Sequence, residues 1–373
     1  MPIQQIDLSD SRQVKRFLQV PFRIYRDIPQ WVPPFAADAR RMLDNRRNPF
    51  YRHSQAAFFI SQEEGQAPDA RLAVLNNTHY NDYNHERTAF FFLFECEPDQ
   101  AAADGLFEAG FAWARQQGLT RMIGPKGFTA LDGLGLLVKG FEFPPALGIP
   151  YNPAYYAGLL EGAGFKAAND MVSGYMSEKP VLPEKVRLVA ERVQQQRGLS
   201  VAPFKTRRDL RRLIPKLKNL YNGALEGTTG NVPLTDEEAG AMANQILWFA
   251  DPKLIKIIYK ETEPVGFLFA YPDISAALQR THGRLFPFGW ISILLELRRT
   301  KILNINGAGI IEKYRGLGGT ALLFNEMVKT ASESRFEQAE IVQIGIDNER
   351  MLLELRTFGI DFHKTHRIYE RAL

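Results

Sequence analysis

The amino-acid sequence predicts an α/β protein with mixed (α+β) sheets, built twice along the chain. Three observations predict it. Apolar runs of strand length alternate with amphipathic stretches of helix length. The order of these segments in the first half returns in the second. One strand of the second half leads through a glycine-rich turn, Arg315–Thr320, into a helix.

In the first half, strand-like segments at Ala56–Ser61, Arg71–Asn76 and Ala89–Glu95 precede a helix over Gln100–Gln117. Leu106, Ala109, Phe111, Ala112 and Trp113 form its apolar side. A glycine- and proline-rich connection follows Met122–Pro125, and then NPAYYAGLLEGAGF at Asn152–Phe165. In the second half, strands read at Leu254–Lys260, Val265–Ala270 and Ile302–Ile311. A helix runs from Thr320 to about Ser332, then a strand at Glu340–Ile346, then DNERMLLELRTFGI at Asp347–Ile360. Both closing segments read asparagine, short amphipathic helix, glycine, apolar residue. Each half is thus a mixed sheet whose central strand is followed by a helix. The proline-bearing segment Ser177–Lys185, before a helix over Val186–Arg197, is the natural linker, giving domains 1–178 and 179–373.

Composition narrows the class. The chain has 373 residues, 45% hydrophobic and 24% charged, enough for two cores. Cys96 is the single cysteine, which excludes a disulfide framework and a cysteine-based metal site, and no metal is expected. The N-terminal MPIQQIDLSDSRQVKRF lacks the apolar stretch of a secretory signal. No uncharged apolar run reaches the roughly 18 residues of a membrane span. A cytoplasmic location is expected. The net charge of +4 and pI near 9.0 suit a phosphate-rich ligand or an anionic membrane surface. Nucleic acid is disfavoured: the basic run Lys205–Lys218, with leucines at 210, 213, 217 and 220, has no interleaved aromatics and reads as an amphipathic helix with a solvated basic face.

The turn after Ile302–Ile311 carries the chemistry. Glycines at a helix start let backbone N–H groups approach a ligand, and the first helical turn favours an anion. A P-loop would place Lys-Ser/Thr after its second glycine, where this chain has Gly319-Thr320. A dinucleotide G-x-G-x-x-G fails as well, because Gly316-Leu317-Gly318 is followed by Ala321. Arg315 and Gly318 do fit the Arg/Gln-x-x-Gly-x-Gly/Ala loop of the GNAT acyltransferases, with Thr320 departing from its last small residue.

The order of strand, turn, helix, strand and Asn348 helix resembles the GNAT superfamily. From about Asp27 to Arg371 the chain is similar to one tandem branch, the bacterial ceramide-synthase-like family. The resembling segments include DIPQWVPP at Asp27–Pro34, GPKGF at Gly124–Phe128, GLLVKGFEFPP at Gly135–Pro145 and YNPAYY at Tyr151–Tyr156. They continue with VPLTDEE at Val232–Glu238, GRLFPFGW at Gly283–Trp290 and KTHRIYE at Lys364–Glu370.

This resemblance implies two tandem GNAT domains and transfer of an acyl group from acyl-CoA (acetyl or longer) to a primary amine. It implies that Gly309, Ile310 and Ile311 meet the pantetheine and thioester. The pyrophosphate would sit on the amides of Arg315, Gly316, Leu317, Gly318, Gly319 and Thr320, with Asn348 near the cofactor. The base stays open among Glu312, Asp347 and Asp273, with His363 and His366 further on. Many GNAT enzymes carry an acidic tyrosine where this chain has Leu355; Tyr369 or Tyr314 would have to replace it. The first half reads as a degenerate copy, because CEPDQAAADG offers no arginine or glycine pair and places Asp99 and Asp104 there. A second reading is a GNAT-fold binding or regulatory protein without turnover. FPFGWISILLEL at Phe286–Leu297, followed by Arg298 and Arg299, reads either as a buried helix or as a lipid-facing one, peripheral to the inner membrane.

Overall fold

The computed structural model describes residues 2–62, 69–129, 132–176, 182–227 and 231–373. Its strands are β1 (Ile3–Gln5), β2 (Gln55–Ser61), β3 (Ala70–Asn76), β4 (Thr88–Cys96), β5 (Arg121–Gly124), β6 (Leu136–Lys139) and β7 (Lys166–Met176). They continue with β8 (Leu199–Val201), β9 (Ile255–Lys260), β10 (Glu263–Pro272), β11 (Ile302–Ile310), β12 (Gln338–Gly345) and β13 (Ile360–Ala372). Two compact units emerge. One comprises Met1–Val172, Ser275–Leu295 and Lys364–Leu373; the other comprises Ser173–Ile274 and Glu296–His363. The units interleave, where the sequence suggests one cut at 178/179. Most of the expected linker, residues 177–181, lies outside the described residues.

In the first unit, β1 to β4 pair in order, each antiparallel to the last. Thr88–Phe90 of β4 then run parallel to Arg121–Ile123 of β5. The antiparallel partner of β5 is the end of the chain, Tyr369–Ala372 of β13. The helix Gln100–Gln116 connects β4 to β5, and its Phe107 and Phe111 are fully buried in a core with Phe91 and Phe165.

The second unit repeats this plan. β8 to β11 pair antiparallel in order, and β11 runs parallel to β12. The helix Gly319–Ser332 makes the crossover, burying Leu322, Leu323, Phe324 and Met327 against Leu303, Ile305 and Ile341. Ser173 of β7 accepts the Gln343 amide of β12 at 3.0 Å. The same pairing senses in both units bear out the internal repeat. One local expectation changes. The basic run 205–218 is two helices, Arg207–Arg211, opened by a Thr206/Asp209 capping box, and Ile214–Leu225, with proline in its first turn.

Candidate functional site

The glycine-rich turn lies at the start of a helix that has no cap. Gly318, the N-cap of Gly319–Ser332, sits at φ +85°, and among the described residues no side chain accepts from the first helical amides. The Leu322 amide reaches Gly318 O at 3.2 Å, which leaves the amides ahead of it without a helical carbonyl. Glycine is needed at 318 for space as well as for φ, since a Cβ there would stand 2.6 Å from Val193 Cγ2. At Gly319 a Cβ would be 2.9 Å from Ile310 Cδ1, so its absence lets the helix start against β11. The corresponding helix of the first unit is closed to anions. Asp99 caps it, its carboxylate accepting from the Ala101 and Ala102 amides at 2.8 and 3.1 Å. In that copy the chain's own carboxylate fills the place an anion would take.

Beside the turn, β11 and β12 part. Their parallel pairing covers only Ile302–Ile305 against Gln338–Ile341. Past it, β11 bulges against β10, with Gly307 at φ +115°. The Ile311 amide donates back to Val265 O on the β10 side at 2.9 Å. Strand alternation therefore turns the Ile310 amide the other way, toward the gap between β11 and β12. The gap edge thus carries one backbone donor, and the uncapped helix start beyond it offers more.

Arg315 is used differently from the expectation. Its guanidinium donates to the carbonyls of Ile310 (3.0 Å), Ala224 (3.1 Å) and Glu226 (2.9 Å), and its own amide donates to Glu312 O. It ties the end of the helix Ile214–Leu225 to the end of β11. The cation that sequence reasoning missed is Arg350, whose guanidinium lies 3.3 Å from the Cβ position of Gly316. Asn348 is an N-cap, accepting from the Met351 amide at 3.2 Å. Leu355 is buried in the core.

A second group of polar residues lines the sheet face turned away from the helix Gly319–Ser332. Alternation explains it: Leu303 and Ile305 enter the core, so Asn304 points the other way. The Asn304 amide donates to Asp273 at 3.0 Å, while its Oδ1 is fully buried and has no hydrogen-bond partner among the described residues. Asn306 donates to the Tyr271 hydroxyl at 2.8 Å. Glu340, opposite Asn304 on β12, is buried and hydrogen-bonds Tyr175, whose ring stacks on His363 at 4.1 Å. Burial, with Glu340 and then Asp273 nearby, holds the Tyr175 hydroxyl well above its ordinary range. Burial does the same for Tyr271. Asn306 lies three residues before Gly309, about 10 Å along the strand.

Two of the expected catalytic residues stand in solvent. Glu312 begins the short 3-10 turn after β11 and is exposed; Asp347 is exposed before the helix Glu349–Thr357. Tyr369 belongs to the first unit, fully buried, its hydroxyl 3.3 Å from Glu161. His366 is buried there as well, against the Pro150 carbonyl at 3.0 Å. Of the open candidates, only Asp273 and His363 fall in the polar group. Glu340 and the two asparagines were missed, although asparagines two apart in ILNINGAG are the signal of a strand with one polar face.

Known proteins share this architecture. A tandem GNAT protein from the clavulanic acid biosynthesis pathway is similar over 100% of this chain and 98% of its own, with TM-score 0.55 and 11% identity. A GCN5-related N-acetyltransferase from Sphaerobacter thermophilus matches over 100% and 95%, with TM-score 0.51 and 12% identity. The fold is that of two tandem GNAT domains. In sequence, the chain is 25% identical to the bacterial ceramide synthase of Caulobacter vibrioides over 99% of its length and 97% of the relative's. It is also 25% identical to protein YghO of Escherichia coli, over 98% and 94%. No family model matches the chain. The resemblance to tandem GNAT acyltransferases and to the bacterial ceramide synthase thus spans the whole chain.

Proposed function

We propose that the chain is an N-acyltransferase that moves an acyl group from acyl-CoA to a primary amine. The observation that carries this is the uncapped helix start at Gly318 beside the parted strands β11 and β12. The pyrophosphate would rest on the amides of Gly316–Thr320, favoured by the helix dipole and by Arg350. The pantetheine would enter the gap, and the Ile310 amide would polarise the thioester carbonyl.

The amine would lie on the polar face, where Asn304 Oδ1, Asp273 and Glu340 offer acceptors to an ammonium group. Glu340 is proposed as the base, ahead of the exposed Glu312 and Asp347, because a buried carboxylate reaches the amine without competition from water. It takes the ammonium proton; the amine nitrogen then attacks the thioester carbon, the C–S bond breaks, and the departing thiolate takes the second proton that the nitrogen loses on becoming the amide. The name of the Caulobacter relative favours a lipid-like amine and a long acyl chain. Leu355, which leaves the usual acidic tyrosine position in the core, favours the second reading, a CoA-binding protein without turnover.

Calorimetric titration of the purified chain with acetyl-CoA and palmitoyl-CoA tests the first step, and thiol release with a panel of amines tests the second. Saturable one-to-one binding with amine-dependent thiol release supports the enzyme. Binding without release supports the second reading, and a folded chain that binds neither thioester refutes both.

A further inference from the structure

The segment Phe286–Leu295 leaves its apolar side chains in solvent. Phe286 is 84% exposed and Phe288 73%, and Trp290, Ile291, Leu294 and Leu295 are exposed with them. Of the large apolar side chains exposed on the described part of the molecule, half fall within these ten residues. A surface helix ordinarily turns its polar side outward. The helix Gly289–Arg299 does the opposite: Ile293 alone is buried, and Trp290, Ile291, Leu294 and Leu295 form the outer face at helical spacing.

The platform is held in a fixed shape. Gly283 packs so tightly that a Cβ would lie 2.0 Å from Pro34 O, and its carbonyl accepts the Ala36 amide at 2.9 Å. Gln279 donates to the carbonyls of Pro29 and Trp31 at 2.7 and 2.9 Å. The Trp290 indole donates to Pro287 O at 3.1 Å, which ties its polar edge back to the turn. Cations border the patch: Arg280 and Arg284 before it, Arg298 and Arg299 in the last helical turn, all exposed, against the one acid Glu296. The helix that starts at Ala36, joined to Gly283 by that hydrogen bond, carries exposed Arg40 and Arg41 and the half-buried Asp38.

From this geometry we infer that Phe286–Leu295 docks the protein on an anionic lipid surface, with Phe286 and Phe288 entering the boundary between headgroups and acyl chains. Apolar side chains on a rigid turn supply the insertion, and the arginine border supplies the attraction to lipid phosphates. The border also selects this occupant over a second copy of the chain. A two-fold contact through this patch would set the arginines of one copy against those of the other. The helix is too short to cross a bilayer, and among the described residues no helix is long and apolar enough to do so. The docked state is therefore one lying on the surface.

The test is co-sedimentation of the full chain with phosphatidylcholine vesicles, with and without phosphatidylglycerol. The wild type should pellet with the phosphatidylglycerol vesicles, and added salt should weaken this. Phe286→Ser with Phe288→Ser should lower the partition coefficient by at least about tenfold, the expected loss for two exposed phenylalanines. The thermal melt should not move, since both rings are already in solvent. Arg280→Gln with Arg284→Gln should reduce the salt sensitivity and leave the apolar insertion. Failure of the wild type to pellet overturns the inference, as does equal pelleting of the phenylalanine variant. A wild-type dimer in sedimentation velocity that the phenylalanine variant converts to monomer overturns it in favour of a second copy.

Discussion

Gly318→Ala tests how the glycine-rich turn is built. The residue sits at φ +85°, ψ 14°, where a side chain costs about 1–2 kcal/mol. The new Cβ would also stand 2.6 Å from Val193 Cγ2 and 3.3 Å from Val189 Cγ1, both on the helix Glu184–Gln196. Overpacking of that kind costs about 1–3 kcal/mol. A midrange loss of about 3 kcal/mol lowers the melting temperature of a unit this size by about 6–12 °C. The two contributions separate in a double-mutant cycle, because Val193→Ala removes the clashing methyls and leaves φ untouched. Urea unfolding followed by circular dichroism of the wild type, both single variants and the double variant gives the coupling. It should favour the double variant by about 1–3 kcal/mol. Zero coupling would refute the reasoning: Val193 would then not lie over the turn, and a smaller loss would reflect backbone strain alone.

Three further outcomes are expected. Arg315→Met removes three donors to the carbonyls of Ile310, Ala224 and Glu226 and should lower stability by about 1–2 kcal/mol in urea; unchanged stability with weakened CoA binding would instead mean that the guanidinium meets the ligand. Glu340→Gln should slow amine-dependent thiol release by about 10²–10⁴-fold with calorimetric CoA affinity unchanged, and full activity would exclude Glu340 as the base. His366 is held at about 4 by burial, so the unfolded chain binds its proton first as pH falls below about 6.5. Stability is therefore lost between those values, by about 2 kcal/mol at pH 5 relative to pH 7. Asp132, pushed up to about 6 by burial, runs the other way, stabilising the fold as it gains a proton. The measurement is accordingly the difference between wild type and His366→Gln in urea at the two pH values, and no difference would place the imidazole in water.

The local grammar of the sequence carried much of this molecule. The repeat was legible because each unit spells its own strand, helix and closing asparagine segment in order. The turn was legible because two glycines at positive φ, 316 and 318, are required by the backbone itself. What stayed hidden depends on partners distant in sequence. Arg315 reads as a phosphate grip until the end of a helix some 90 residues earlier brings two carbonyls to its guanidinium. Glu340 reads as the start of a strand, and only pairing with Asn304 and hydrogen bonding to Tyr175 shows that it faces a buried polar group. Nothing in KTHRIYE tells that the last strand pairs with β5, which buries Tyr369 in the first unit's core.

That last strand has a consequence for synthesis. β5 is flanked on one side by Tyr369–Ala372, which leave the ribosome long after the strand they pair with. Met1–Val172 of the first unit is made long before then, with Ser275–Leu295 following in between. At about 5–20 residues per second, its sheet waits roughly 10–40 s for the closing edge. During that interval the N-terminal half presents an open strand edge to every other nascent chain nearby, a standing invitation to mispairing. Expression of the N-terminal half as a separate fragment would make that interval permanent.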